Sequence, residues 1–233
     1  MSFNNTGYLG YIPKVYASFT CMVGLATMGI MLTIVLELSS TVSMISGLVS
    51  IIVLLVGLYN MYINNMIVME LCSYLVSLLV GVNIVPLIVA VNSIDPNIVL
   101  LSFTGTTLIF GTTTGYVLVW DPFKNNVNMM YYIGQVLFTW MFLSIFATIM
   151  NIFFQSETLY LLEIYMSLSA FTLFIAYDTG AMVEKCRQGI ANPDHYILDA
   201  LNLFFDFANI FVKLLQLLGH IKGKESKSAK KKN

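Results

Sequence analysis

Charged residues are scarce in this chain of 233 residues. Asp, Glu, Lys and Arg make up 10% of it, whereas hydrophobic residues make up 58%. A soluble globular domain has about 25% charged and about 45–50% apolar residues, and a disordered chain is poor in apolar residues. The composition excludes both classes and favours a protein embedded in a membrane.

Residues that build disulfide, metal and nucleotide sites are also few. Three widely spaced Cys and two His are too few for a disulfide framework or a zinc cluster. No glycine-rich phosphate loop of the type GxxxxGK occurs. We expect no resident metal or cofactor and no nucleic-acid partner, and the favoured interpretation of this chain is not an enzyme.

Long apolar runs dominate the chain instead. A helix needs ~20 apolar residues to cross ~30 Å of hydrocarbon. Seven such runs follow one another, at about 15–37, 42–59, 66–91, 98–120, 129–154, 158 to beyond 178, and 194–218. They predict an all-α membrane protein, a seven-helix bundle of six spans plus a polar-striped seventh helix. We divide it into an N-terminal segment (1–14), a multi-pass membrane domain (15–218) and a Lys-rich tail (219–233).

The positive charges predict an orientation but leave the seventh segment ambiguous. Lys14, Lys124, Lys185 and Arg187 lie on one face of the predicted bundle, which we expect to be cytosolic. Residues 220–233 hold six more Lys, and these join that face only if the seventh segment re-enters. No Gly or Pro interrupts the segment before residue 219, which favours one spanning helix. Both topologies remain open.

A polar stripe runs along the seventh segment, with spacings of 3, 4, 3, 4 and 3 residues that place its members on one helix face. The stripe consists of Asp199, Asn202, Asp206, Asn209, Lys213 and Gln216. Ionisable groups at membrane depth cost ~2.5–3.5 kcal/mol each and normally face a bundle interior or a water-filled cavity. We therefore expect the stripe to point inward. A hydrogen-bonded helix seam, a helix lying in the headgroups and an ion pathway all fit this pattern.

Asp178 is the only charged residue in the apolar run 168–183 of the sixth segment. It lies ten residues, ~15 Å, from the predicted helix end at Gln188, and Asp206 lies 13 residues, ~20 Å, from the predicted helix start at Pro193. On antiparallel neighbours these two carboxylates can face each other at similar depth. Such a pair shares a proton, titrates as a unit and offers oxygen ligands to Ca²⁺. The alternative is that each carboxylate bonds a neighbouring Asn or Tyr.

Several of these motifs together resemble the Bax inhibitor family of multi-spanning membrane proteins, and most of all its endoplasmic-reticulum branch. The resemblance rests on Tyr177-Asp178-Thr179, the run Ile-Leu-Asp-Ala-Leu-Asn-Leu-Phe-Phe-Asp-Phe-Ala-Asn-Ile-Phe at 197–211, Lys14-Val-Tyr-Ala-Ser-Phe19, Phe103-Thr-Gly-Thr-Thr-Leu-Ile-Phe110 and the Lys-rich tail. It covers nearly the whole chain.

The resemblance implies six helices around a central one, a pH-sensitive calcium leak in the endoplasmic reticulum membrane and suppression of stress-induced cell death. It assigns the roles of pH sensor and gate to Asp178 and Asp206, with H⁺ and Ca²⁺ as the sensed or transported ions. Asn202 and Asn209 match polar positions beside the second aspartate. Cell-death regulatory membrane proteins are the partners it implies.

The chain departs from the family at two places. Val89 stands where the family often has an acid in the third helix, and the second segment lacks the Arg that latches onto the aspartates in some relatives. Lys213 could take over the role of that Arg.

Two other functions remain open. One is a membrane scaffold that restrains death-promoting partners without transporting ions. The other is an intramembrane aspartyl protease, which also uses two aspartates on neighbouring helices, although the Gly-x-Gly-Asp setting of the second aspartate is missing.

Two short motifs complete the predictions. Lys230 and Lys231 form a dilysine pattern of endoplasmic-reticulum retrieval, an address read by a receptor. Gly111 and Gly115 form a GxxxG motif, which predicts close helix packing in the fourth segment.

Overall fold

The computed structural model describes residues 5–124, 127–192 and 195–232, without the side chains of 5–9, 127–129, 227 and 229–232. This described part of the chain forms seven α-helices and no strand. They are α1 (Asn5–Val35), α2 (Ser40–Tyr62), α3 (Met66–Asn92), α4 (Asn97–Trp120), α5 (Val127–Phe154), α6 (Glu157–Gln188) and α7 (Tyr196–Lys232). The all-α prediction is confirmed.

Each of the seven helices contains a candidate membrane span of 23 to 32 residues. The mean hydropathy of their most apolar windows lies between 1.3 and 2.4. Large apolar side chains are exposed on many of them, for example Met44 at 74%, Phe153 at 77% and Val119 at 74%. Lipid tails can cover such a surface, whereas water would penalise it. The chain is therefore an all-α membrane protein.

Helix α7 is one uninterrupted helix, as the lack of Gly and Pro before residue 219 predicts. Half of its most apolar window is buried, a larger share than in any other described helix. The described part of α7 contains no break at which a hairpin could turn. The predicted helix start at Pro193 and Asp194 lies outside the described residues.

Two helices are longer than their apolar runs predict. Helix α1 begins ten residues before the predicted start at Val15, and Tyr11 in this extension is buried and hydrogen-bonded. Helix α7 continues past Leu218, where Glu157 binds His220 and Lys224. In both cases contacts with other elements stabilise helical turns that hydropathy alone does not require.

Helix α6 ends where the sequence predicts. Gln188 is its last residue, and Gly189 follows with φ of +70°. Glycine adopts this left-handed conformation without steric cost, which makes it the usual residue just past a helix end.

The chain divides into two compact units. Unit 1 contains α1, α2 and most of α3, together with Lys185–Phe204. Unit 2 contains Ala90–Glu184, which includes α4, α5 and most of α6, together with the chain from Phe205 onward.

Close helix packing in unit 1 depends on two glycines. A Cβ added at Gly29 of α1 would collide with the backbone carbonyl of Leu78, and one added at Gly81 of α3 would collide with that of Ala26. Helices α1 and α3 therefore approach with their backbones almost in contact. The predicted close packing at Gly111 and Gly115 of α4 is wrong, because a Cβ at either position would have no atom within 4 Å.

Replacing Gly29 with Ala should destabilise the protein by about 1–3 kcal/mol, because the backbones of α1 and α3 would have to separate. Gly24→Ala on the same helix is the matched control, since a Cβ there meets nothing within 4 Å. Thermal unfolding in detergent measures the difference. Equal unfolding temperatures for the two variants would contradict this packing.

Candidate functional site

Asp206 is the buried acid at the centre of the candidate site. Its side chain lies on α7 in unit 2 and is only 6% exposed. The neighbouring Phe207 packs edge to face against Phe103 and Phe110 of α4, with ring centroids 6.0 and 5.8 Å away. Within the described part of the chain, Oδ2 of Asp206 has no hydrogen-bond partner. A buried polar atom without a hydrogen-bond partner lowers the stability of the folded protein. A stabilising role therefore does not explain why Asp206 is here.

Asp178 of α6 lies beside Asp206 in the same unit. The two carboxylates are close enough for the charge of one to act on the other. Asp178 is half-buried. We refer to Asp178 and Asp206 as the carboxylate pair.

A second charged pair lies further along the same two helices. Nζ of Lys213 on α7 donates to Oε1 of Glu163 on α6 at 2.6 Å, and the side chains are only 16% and 9% exposed. Ser167 and Thr148 also donate to this oxygen, at 3.3 and 3.4 Å. Desolvation of two charges is costly, and it is offset only by good geometry and further hydrogen bonds of this kind.

The polar side chains continue from this pair to an open cavity in unit 2. Gln216 is next on α7, and its buried Oε1 has no partner among the described residues. One turn further, Nε2 of His220 lies 3.1 Å from Oε1 of Glu157, which also contacts Lys224. These three residues line a cavity of about 930 Å³, together with residues of the α3–α4 and α5–α6 connections. The C-terminal part of α7 therefore lies beside those two connections.

Asp199 is the stripe residue with the most complete set of partners, and it belongs to unit 1. Its carboxylate accepts hydrogen bonds from Nζ of Lys185 at 2.7 and 2.9 Å and from Oη of Tyr11 at 2.8 Å. These contacts tie the start of α7 to the end of α6 and to α1. Asp199 is thus a structural residue in this arrangement.

The other predicted site residues do not cluster. Asn209 donates to the backbone oxygen of Phe205 at 2.8 Å, within its own helix. Asn202 is exposed, so the expectation that the whole stripe is enclosed is wrong at this position, where neighbouring elements leave the helix uncovered. The side chains of Lys230 and Lys231 lie outside the described residues.

Glu163 is the functional candidate that the sequence analysis missed. Its position in an apolar helix, four residues before Ser167, is only weak evidence in the sequence for a functional role. A stronger signal is Lys213 itself, because a lysine on an inward-facing stripe needs an anion on a neighbouring helix. No group of three or more His, Cys, Asp and Glu that could hold a metal ion occurs among the described residues.

Comparison with known proteins identifies the family of this chain. Residues 9–223 match the family model described as "Inhibitor of apoptosis-promoting Bax1". The match covers nearly all of the helical region. The chain belongs to the Bax inhibitor family. It is therefore a multi-pass membrane protein of this family, as the motifs around Asp178 and Asp206 predict.

Relatives of this chain come from animals and from a virus. Bax inhibitor 1 of Rattus norvegicus is 27% identical over 223 residues, which cover 95% of this chain and 90% of the relative. Bax inhibitor 1 of Bos taurus is 27% identical over 210 residues, covering 89% and 85%. The Golgi anti-apoptotic protein of Vaccinia virus strain Lister is 32% identical over 124 residues, covering 53% and 48%.

Replacing each of the two buried aspartates, Asp199 and Asp206, with Asn should affect the stability of the protein differently. Asp199→Asn loses charge-assisted hydrogen bonds and should destabilise the protein by about 1.5–3 kcal/mol. Asp206→Asn replaces a buried carboxyl group, whose Oδ2 has no partner in the described chain, with a neutral amide of the same size, and should leave the stability unchanged or raised. Thermal unfolding of both variants in one detergent tests this contrast. A larger loss for Asp206→Asn than for Asp199→Asn would show that the structural role of the two residues is reversed.

Proposed function

We propose that this protein is a pH-sensitive calcium leak of the endoplasmic reticulum membrane that suppresses stress-induced cell death, with the carboxylate pair as proton sensor and gate. The observation that carries the proposal is the Asp206 carboxylate, buried beside Asp178 with one oxygen lacking a partner in the described chain. Acids held in this unfavourable state inside a membrane protein typically mark ion or proton paths.

The proposed mechanism uses the two states of the carboxylate pair. When both carboxylates are ionised, they repel each other and together attract a cation, for which carboxylate oxygens are good ligands if the cation is Ca²⁺. When the pair holds a proton, one carboxyl group can donate to the other, the attraction falls and the helices can close the path. The proton occupancy of Asp178 and Asp206 thus sets the cation affinity of the site.

The relatives support the cellular part of the proposal. The mammalian relatives are named Bax inhibitor 1, and the viral relative is named an anti-apoptotic protein. A passive leak lowers the calcium content of the endoplasmic reticulum, and this lower content is how the leak would protect the cell.

Charge neutralisation at Asp206 tests the leak. In proteoliposomes that contain a fluorescent calcium indicator, wild-type protein should conduct Ca²⁺ at a rate that changes with pH as the proton occupancy of the carboxylate pair changes. Asp206→Asn should change this rate and abolish its pH dependence, because the remaining Asp178 has no second carboxylate with which to share a proton.

Two controls make the leak experiment decisive. Asp199→Asn removes an acid of the same helix outside the carboxylate pair, and the leak measured per folded protein should keep its pH dependence. Unchanged leak in Asp206→Asn at equal protein content would remove the pair from the mechanism. If Asp206→Asn abolishes flux but leaves cell protection intact, the scaffold hypothesis replaces the leak as the basis of protection.

The proposed location in the endoplasmic reticulum rests on the lysine pair Lys230 and Lys231, and it requires that the end of α7 face the cytosol, where this address is read. Lys230→Ser with Lys231→Ser should move a fluorescently tagged protein, with the tag at the N-terminus, to later compartments, because the receptor-read address is lost. Lys222→Ser with Lys224→Ser, which removes the same charge elsewhere in the tail, should leave the location unchanged. A Golgi location of the unaltered protein, as the name of the viral relative describes for that protein, would contradict this part of the proposal.

A further inference from the structure

Helices α6 and α7 share a row of polar side chains that leads from Asp206 to the cavity of unit 2. On α7 the row consists of Asp206, Asn209, Lys213, Gln216 and His220, at spacings of 3, 4, 3 and 4 residues. We call the part of unit 2 along this row the polar seam. Its length from Asp206 to His220 is 14 residues, ~21 Å, which is most of the hydrocarbon thickness.

The seam is open at one end and charged in the middle. At the open end, His220 and Glu157 line the cavity of about 930 Å³. In the middle, the Glu163–Lys213 ion pair joins the two helices, with N–O distance 2.6 Å. At the closed end, Oδ2 of Asp206 is buried without a partner in the described chain. An ion that moved along the seam from the cavity would meet the ion pair before it reached Asp206.

The ion pair has the properties of a barrier. The Lys213 ammonium group repels a divalent cation, and its contact with Glu163 occupies the carboxylate that would otherwise attract one. Ser167 donates to Glu163, and the hydroxyl of Ser167 is itself 2.6 Å from that of Ser144 on α5. These hydrogen bonds hold the pair in a fixed geometry.

We propose that the polar seam is a water-accessible cation route from the cavity to Asp206, and that the Glu163–Lys213 ion pair closes it. The proposal rests on the proposed calcium leak for the identity of the ion, but not for the existence of the route. It gives Lys213 and Glu163 the role of positioning residues that control access to the carboxylate pair.

Cysteine accessibility tests the barrier without any calcium measurement. In a background with Cys21, Cys72 and Cys186 replaced by Ser, single cysteines are placed at His220, on the cavity side of the pair, and at Asn209, beyond it. The probe is a charged, membrane-impermeant methanethiosulfonate reagent applied to permeabilised proteoliposomes. His220→Cys should be labelled in every background, whereas Asn209→Cys should be labelled slowly while the ion pair is intact.

Removal of the pair should open the route. Glu163→Gln with Lys213→Met keeps the volumes and removes both charges, and should raise the labelling rate of Asn209→Cys by on the order of tenfold or more. The charge-swapped variant, Glu163→Lys with Lys213→Glu, restores an ion pair and should keep Asn209→Cys protected. Ile210→Cys, at a fully buried apolar position next to Asn209, should stay unlabelled in all of them and so reports any general loosening of α7.

Each remaining outcome counts against the proposal. Rapid labelling of Asn209→Cys while Glu163 and Lys213 are unchanged would show that the pair is no barrier. This measurement does not depend on whether the variants of the ion pair fold. Slow labelling of Asn209→Cys in the folded neutral variant shows that no route passes the pair. The labelling could follow the expected pattern while neither wild-type protein nor the neutral variant conducts Ca²⁺. This result would contradict the calcium leak and support the water-accessible route.

Discussion

The free-energy cost of a charged side chain in an apolar helix is the constraint on which the rest of this structure depends. Such a group must find a partner or face water, and most of the described acids of α6 and α7 do so. Asp199 binds Lys185 and Tyr11 in unit 1, and Glu163 binds Lys213 in unit 2. These contacts fix the start of α7 against its neighbours in one unit and the later part of α7 against α6 in the other. Oδ2 of Asp206, which lacks a partner in the described chain, is the exception that needs a functional explanation.

This contrast separates structural from functional acids within a single helix. Asp199 and Asp206 are seven residues apart on the same stripe, so sequence periodicity treats them alike. Their surroundings differ. Asp199 accepts hydrogen bonds from the Lys185 ammonium group and the Tyr11 hydroxyl, whereas Asp206 has the acidic neighbour Asp178. A residue that destabilises its own surroundings is retained where function requires it. The proposed sensor thus lies at the carboxylate pair, and the polar seam supplies its connection to water.

The sequence predicted the helices well where polar connections interrupt apolar runs. The predicted bounds of α3 and α4 differ from the observed ones by about one residue, because Asn and Asp-Pro segments end the runs sharply. The start of α1 and the end of α7 were missed, since contacts of Tyr11, His220 and Lys224 extend those helices. Helix rise alone placed Asp178 near Asp206. The partner of Lys213 could not be found in this way, because the rotation of α6 about its axis decides which residue faces α7, and rotation follows from the packing of every neighbouring helix.

The protonation of Asp206 is the most direct test of this account, and infrared difference spectroscopy measures it. We expect a carboxylic-acid C=O band whose intensity changes with pH in wild-type protein in lipid. This band should disappear in Asp206→Asn and remain in Asp199→Asn, whose carboxylate is held by Lys185 in the native protein. A band that survives in Asp206→Asn, or a spectrum in which no carboxyl group titrates, would contradict the assignment of Asp206 as the proton sensor.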